Sequence, residues 1–493
     1  MKHAWLGLAA AGLLAAPAQA ADRAAILAEY QALLAIPNVA TDVADIRRNA
    51  DHIMAMMARR GLAPRLLEGA DNKVPPAIYG EWRVPGAKRT LVLYAHYDGQ
   101  PVTPEDWTST QPFTPKLYSD RPDRGGKPIA FPAAGQKVDD DWRVYGRSAS
   151  DDKLGVMAIL AAVDQLKAKG EQPGFNLKIF FEGEEEMGSP NLAALLARHR
   201  DTLKSDGWVI IDGPAHPSGA PQVSLGVRGD VNVDIVVHGP VRPLHSGHYG
   251  NWVPNPAMVL SQLLASMKDA SGRVTVPGWY DDVVPLTEAE RAAIRAVPAA
   301  DAQLKAELGL GWTEGNGTAL LDAIQQPSLN INGIRAADVG DKARNVIPTS
   351  AAATLDLRLV KGNDVKRQVD KLIRHIRAQG FHVLDRAPTL DERRAHTRIA
   401  TVTVGAGYNA ERTPLDDPLA QSVVAAARPH RAVVLPSLGG SLPLYIFRET
   451  LGAPTVSLTL ANHDNNQHAE DENLRLGNLY RAIDVTADVL RMR

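Results

Sequence analysis

The chain has 493 residues, a formal net charge of −2 at neutral pH and no cysteine. An apolar fraction of 45% with 22% charged residues belongs to a globular protein, not to a disordered or fibrous one. The near-neutral balance argues against a nucleic-acid binder or a polybasic membrane-surface protein, and the missing thiols exclude disulfides, thiol catalysis and cysteine-ligated metals. Any metal must therefore be held by His, Asp and Glu. At about 150 residues per domain, the length suggests roughly three average units or two large ones.

The chain opens on Lys2, a 13-residue apolar run from Ala4 to Ala16, and the small residues Ala18 and Ala20 around Gln19. This three-part pattern predicts a signal peptide over residues 1–20, since a membrane anchor needs about 20 apolar residues. No later stretch is long and apolar enough to span a bilayer. The expected protein is exported, periplasmic or secreted, with no stable membrane insertion after cleavage.

Residues 24–36 then read as a helix ended by Pro37. Residues 90–94 read as a buried strand running into His96 and Asp98, and residues 154–167 carry Ile159, Leu160, Val163 and Leu166 at helical spacing before Gly170. Two more short apolar strands follow at residues 177–181 and 208–211. Strands alternating with helices predict an α/β fold, with a mixed, largely parallel sheet and helices on both faces. Ligand sites in such sheets lie beyond the C-terminal strand ends.

From about residue 226 the pattern changes. Val231, Val233, Ile235 and Val237 alternate with polar residues, and Leu355, Leu357 and Leu359 alternate with Thr354, Asp356 and Arg358. Residues 364–379 form an amphipathic helical pattern closed by Gly380. The expected organisation is a catalytic domain over residues 21–225 and 409–493, holding an inserted α+β lid or dimerisation domain over residues 226–408. The Pro-, Gly- and Ala-rich residues 272–330 would elaborate that insert. Near its end, Gly405-Ala-Gly-Tyr-Asn-Ala410 mimics a dinucleotide fingerprint, but Pro414 soon follows where a helix should run. No Gly-x-Ser-x-Gly or His-Glu-x-x-His motif occurs.

Histidines and carboxylates concentrate in five short segments: His96 with Asp98, Asp151 with Asp152, the Glu184–Glu186 triplet, Asp212, and His463 with His468. Singly each has a bland reading: a surface pair, a helix cap, a solvated acidic face. Together, at strand ends, they match what two metal ions about 3.5–4 Å apart require: a bridging carboxylate and further N/O ligands on each. Such donors suit Zn, Mn or Co. On an extended segment His96 and Asp98 point the same way, so Asp98 can orient His96. The adjacent Glu185 and Glu186 suggest one ligand and one general base acting on a metal-bridging hydroxide.

At this point the sequence resembles the M20 family of metallopeptidases, which includes carboxypeptidase G2, cytosolic dipeptidases and carnosinases. The resemblance rests on eight stretches in family order, among them those around His96, Asp151, Glu185, His245, Asn345, Arg358, Gly439 and His468. It implies that His96, Asp151 and Asp212 hold one metal and that Asp151, Glu186 and His468 hold the other. Glu185 would be the general base, Asp98 the clamp on His96, and the Asp151–Asp152 bond cis. His245 would reach the active site of a partner subunit, implying a homodimer. Arg358 and Ser441, with Gly439 and Gly440, would grip a substrate carboxylate; Asn345 stands where relatives have a contacting Thr.

Further departures from the family pattern are Asn251, where a second Gly is usual, and Asp471 in place of Asn. His248 and His463 have no assigned role, and local hydrogen bonding is expected of both. The expected function is a dinuclear-metal exopeptidase for dipeptides or short peptides, with two divalent ions per subunit, zinc first. An N-acyl-amino-acid deacylase is the alternative on the same scaffold. A non-catalytic binding protein is the alternative of another class, opposed by the complete ligand set.

Overall fold

The structure is a computed structural model that describes residues 22–71 and 73–493, so the expected signal segment lies outside the described residues. No helix among these is long and apolar enough to cross a membrane. An eight-stranded sheet forms the first layer, in the order Arg65–Leu67, Ala77–Trp82, Asn176–Glu182, Thr90–His96, Gly207–Ile211, Thr455–Thr459, Gln222–Ser224, Val433–Leu435. Its four central strands run parallel, and antiparallel pairs occur toward both sides.

Alternate residues of a strand face opposite sides of the sheet. Leu91, Leu93 and Ala95 enter one core with helices Val43–Arg59, Lys153–Ala168 and Leu476–Leu490. Val92 and Tyr94 enter a second core with helices Leu192–Arg198 and Tyr445–Leu451. There Phe447 stands edge-on to Tyr94, ring centroids 5.8 Å apart, and packs on Trp208 at 4.7 Å. Covering both faces demands apolar residues at every strand position, which explains the unbroken apolar runs in the sequence. The α/β architecture is the expected one.

The first helix forms as Arg23–Leu34, capped by the Asp22 carboxylate, which accepts the Ala24 N–H. The sequence pattern over residues 474–490 predicts a helix, and the structure departs from it at the start. Asn473–Arg475 is instead a strand, paired with Arg143–Tyr145, and the helix starts at Leu476. This pairing belongs to a four-stranded sheet completed by Lys116–Tyr118 and Pro128–Ile129. Strands of two or three residues leave no periodic trace in the sequence, and Asn473–Arg475 is held by a partner hundreds of positions away.

A second, five-stranded sheet is built entirely from strands between Gly229 and Tyr408, in the order Ser328–Arg335, Ser350–Leu359, Gly229–His238, Ile399–Tyr408, His382–Leu384. Val231, Val233, Leu355 and Leu357 pack on helices Pro256–Ala265 and Val365–Ala378. Where the chain passes between the two sheets, Gly226–Val227 pairs with Glu411–Arg412. The glycine-rich segment near residue 405 lies within a strand, where a Cβ on Gly407 would meet Val231 Cβ at 2.7 Å.

Candidate active site

Three of the acidic or histidine segments sit at or just past the ends of main-sheet strands, Asp151 precedes a buried helix, and His463 and His468 lie in the segment between strands Thr455–Thr459 and Asn473–Arg475. His96 is the last residue of Thr90–His96, and Asp212 follows Gly207–Ile211 directly. Glu185 and Glu186 lie in a single helical turn, Glu185–Met187, just past Asn176–Glu182. Asp151 precedes helix Lys153–Ala168, and its peptide bond to Asp152 is cis. Asp152 is fixed by the helix start, since its carboxylate accepts the Gly155 N–H at 3.0 Å and the His96 N–H at 3.3 Å. Gly155 allows the helix to approach the neighbouring strand, because a Cβ there would lie 2.4 Å from the Ile211 carbonyl oxygen.

Asp151 stands at the centre of the cluster. One carboxylate oxygen lies 3.0 Å from His96 Nε2, and the other lies 3.0 Å from His468 Nε2. His468 Nε2 is also 3.3 Å from Glu186, and His96 Nε2 is 3.9 Å from both Asp212 and Glu185. Two groups result, His96–Asp151–Asp212 and Asp151–Glu186–His468, each with three ligand atoms within 4.8 Å of one another. They share Asp151, and every donor is nitrogen or oxygen, a set suited to divalent transition metals.

The electrostatics call for cations. Burial, with the Asp151 charge adding to it, pushes the Asp212 carboxyl up to about 7 and the Glu186 carboxyl up to about 8. Burial and the charges of Asp212 and Glu186 likewise push Glu185 well above the usual carboxylate range. Burial works the same way on Asp151, but hydrogen bonds with His468 and His96 outweigh it and hold its carboxyl low. Excess negative charge in a dry site is relieved by positive ions.

The supporting layer is more extensive than the sequence indicates. Asp98 lies 3.3 Å from His96 Nδ1, an ion-pair distance rather than a well-aligned hydrogen bond. Its oxygens also accept the N–H groups of Glu185 at 3.2 Å and Glu186 at 3.0 Å, so one carboxylate positions three site residues. Gln100 donates to Glu186 at 2.8 Å and Gln467 to Asp151 at 3.2 Å. Fully buried Glu472 accepts from Arg147 Nη1 at 2.9 Å, Ser148 N at 2.9 Å, Ser150 N and Oγ at 2.8 Å each, and Asp151 N at 3.0 Å. It ties the loop bearing Asp151 to the loop bearing His468. In the sequence it closes the family-like stretch Gln467–Glu472, four residues after a candidate ligand, without an assigned role.

A cavity of about 870 Å³ opens on this cluster and is lined by Asp151, Glu185, Asp212 and His468 on one side and Arg358, Gly439, Gly440 and Ser441 on another. Arg358 donates to Ser441 Oγ at 2.7 Å and is held from behind by Asp356 at 3.0 Å and Asp230 at 3.6 Å. Tyr408 and His463 also line the cavity, which the sequence did not indicate. His245 and Asn345 do not line it. They lie together on a small ribbon in which His245 pairs with Val346 and the Asn345 carbonyl accepts the Ser246 N–H at 3.1 Å. His248 lies beside His245, ring centroids 4.7 Å apart and the rings tilted by 44°. The departures at Asn251 and Asp471 both adopt positive φ, +61° and +55°, a region Asn and Asp tolerate. Asp471 also accepts the N–H groups of Thr108 at 3.1 Å and Ser109 at 2.8 Å.

With this geometry in hand, comparison with known proteins places the chain. The profile of peptidase family M20/M25/M40 matches residues 92–492. The chain is 28% identical to a Cys-Gly metallodipeptidase of Candida albicans over 85% of its length and 81% of that protein's. It is 26% identical to the human Beta-Ala-His dipeptidase over 86% and 79%, respectively. An M20 family metallo-carboxypeptidase from Sulfolobus solfataricus has a similar structure, with a TM-score of 0.75 and 28% identity over 95% of this chain and 98% of that one. A profile match across most of the chain and a site of shared N/O ligand groups lead to one conclusion: the chain belongs to peptidase family M20/M25/M40 and is a metal-dependent hydrolase.

Proposed function

We propose that the protein is an exported dinuclear-metal exopeptidase that hydrolyses dipeptides or short peptides. The observation that carries this reading is the pair of ligand groups sharing Asp151, facing the Arg358–Ser441 pair across one cavity. His96, Asp151 and Asp212 would hold one ion and Asp151, Glu186 and His468 the other, with zinc proposed and Mn or Co as alternatives. Bound there, two divalent cations supply Lewis-acid polarisation of the scissile carbonyl and acidify the attacking water.

The chain's own residues do the rest. Arg358, with Ser441 and the Gly439–Gly440 backbone, binds the substrate's terminal carboxylate and sets the distance to the scissile amide. Glu185 takes a proton from the attacking water as the carbon–oxygen bond forms. It returns that proton to the amide nitrogen as the carbon–nitrogen bond breaks, and the water's second proton follows from the new carboxyl group to the released amine, leaving an ammonium and a carboxylate. Asp98 keeps His96 and the Glu185–Glu186 turn in register. We further propose a homodimer in which the partner subunit's His245 and Asn345 complete the site, consistent with the exposure of both residues and their absence from the cavity of their own chain.

Glu185→Gln protein loaded with two metals per chain tests the mechanism. Dipeptide turnover should fall at least ~100-fold with metal content unchanged; wild-type turnover would refute the role of Glu185. A parallel panel of dipeptides and N-acyl amino acids separates peptidase from deacylase, and exclusive deacylation would overturn the peptidase reading.

A further inference from the structure

Part of the inserted segment forms one wall of the catalytic cavity. Helix Glu288–Ala296 starts with a capping box between Thr287 and Glu290, and most residues between 294 and 304 and between 319 and 324 line the cavity. The following Val297 is buried against Val433 and Leu435 on the edge strand of the eight-stranded sheet, with Leu321 packed on the same cluster. Glu290 pairs with Arg412 at 3.3 Å, and Gln325 donates to the Ser437 carbonyl at 3.4 Å. The wall is thus pinned at one end to the strand Glu411–Arg412 and at the other to Ser437, two residues before the Gly439–Ser441 turn.

Ile324 brings this wall beside that grip. A Cβ built on Gly439 would lie 3.6 Å from Ile324 Cγ2, in van der Waals contact. Leu438 precedes the Gly439–Ser441 turn and lines the same space. Two charged residues of the wall are already engaged: Arg295 donates to Glu288 at 2.5 Å, and Asp301 accepts the Leu320 N–H at 2.8 Å. Asp322 lies at the exposed rim. Arg228 stands beside Gly440 and Ser441 but does not line the cavity, and its guanidinium donates to the Gln326 carbonyl and Ser328, so a group held against this wall meets methyl groups.

We propose that Val297, Leu321, Ile324 and Leu438 form the subsite for the side chain of the substrate's carboxyl-terminal residue, and that this subsite selects a large apolar residue such as Leu or Phe. The proposal rests on the reading of Arg358 and Ser441 as the grip on that residue's carboxylate in a peptide-cleaving site. Desolvating an apolar side chain against this wall is favourable, whereas an ammonium or carboxylate placed there loses its hydration without a partner.

The test is a series of Ala-Xaa dipeptides, with Xaa as Gly, Leu, Phe, Lys or Asp, on the full metal-loaded chain. Expected is a kcat/KM for Ala-Leu and Ala-Phe roughly 10- to 100-fold above that for Ala-Gly, with Ala-Lys and Ala-Asp lower still. Ile324→Asp and Leu321→Asp should each reduce the Ala-Leu to Ala-Lys ratio of kcat/KM by roughly 10-fold or more. Because a ratio cancels the active fraction, partial misfolding of a variant does not alter it. Equal or better cleavage of Ala-Gly and Ala-Lys by the unaltered protein, or a ratio unmoved in both variants, would overturn the subsite. Failure to cleave any dipeptide would instead overturn the peptidase reading beneath it.

Discussion

Replacing Glu472 by Gln should loosen the site without touching a ligand. The carboxylate is fully buried and accepts five hydrogen bonds, two on one oxygen and three on the other. Gln has nearly the same shape but turns one oxygen into a donor, which then faces either Arg147 and Ser148 or Ser150 and Asp151. The Arg147 side chain, 3% exposed, also loses its only ion-pair partner among the described residues. A lost hydrogen bond to a charged group costs about 1.5–3 kcal/mol, and an uncompensated buried charge about 3–5 kcal/mol. The two descriptions overlap, so the expected loss is about 3–5 kcal/mol rather than their sum. Because Asp151 is held directly and His468 lies on the same loop, metal affinity should fall roughly 10- to 100-fold, as for other outer-shell partners. Urea melts of the chelator-treated proteins and chelator-competition titrations measure the two effects separately. A variant with the wild-type midpoint and the wild-type metal affinity would refute the idea that Glu472 braces the Asp151 loop.

Two further perturbations follow from the same geometry. Gly155→Ala places a Cβ 2.4 Å from the Ile211 carbonyl, a backbone atom that cannot swing aside, so it should cost about 1–3 kcal/mol and weaken metal binding by shifting Asp151 relative to Asp212; an unchanged melting temperature with unchanged metal affinity would show that the helix has room to retreat. Burial opposes ionisation of Asp464, but hydrogen bonds from Arg143 and Asn462 outweigh it and hold its carboxyl well below the usual range. The stability this contributes is present above the unfolded carboxyl pKa of about 3.9 and is lost as pH falls toward the lower folded value. Asp464→Asn should therefore be less stable than the unaltered chain at pH 6, and the gap should narrow by pH 3. A gap that stays constant over that range would contradict the assignment.

The α/β class was legible in the sequence because strands buried on both faces must be apolar throughout, as Leu91 to Tyr94 and Val209 to Ile211 are. The changed character after residue 226 was legible for the complementary reason: a sheet covered on one face alternates, as Val231 to Val237 does. The residue types of the candidate site could be singled out because His and carboxylates at the ends of buried strands have little structural use. Other features escaped. The Asn473–Arg475 strand, the bracing by Glu472 and the double duty of Asp98 all depend on partners remote in sequence. Residues 272–330 looked like an elaboration of the insert, and nothing in their composition indicated that Val297 and Ile324 stand over the catalytic cavity.

What the sequence determined by itself is chemistry that does not depend on distance. Without cysteine, a metal site here can use only nitrogen and oxygen donors, and the strand patterns put those donors at chain positions where a sheet ends. Only the tertiary structure decided which of them meet. Asp151 reaches His96 and His468 because parallel pairing brings three distant strand ends together, and because Gly155 lets a helix start against the Ile211 carbonyl. Sequence spacing carries no information about such contacts. They are set by sheet register and close packing, which arise only when the whole core is buried.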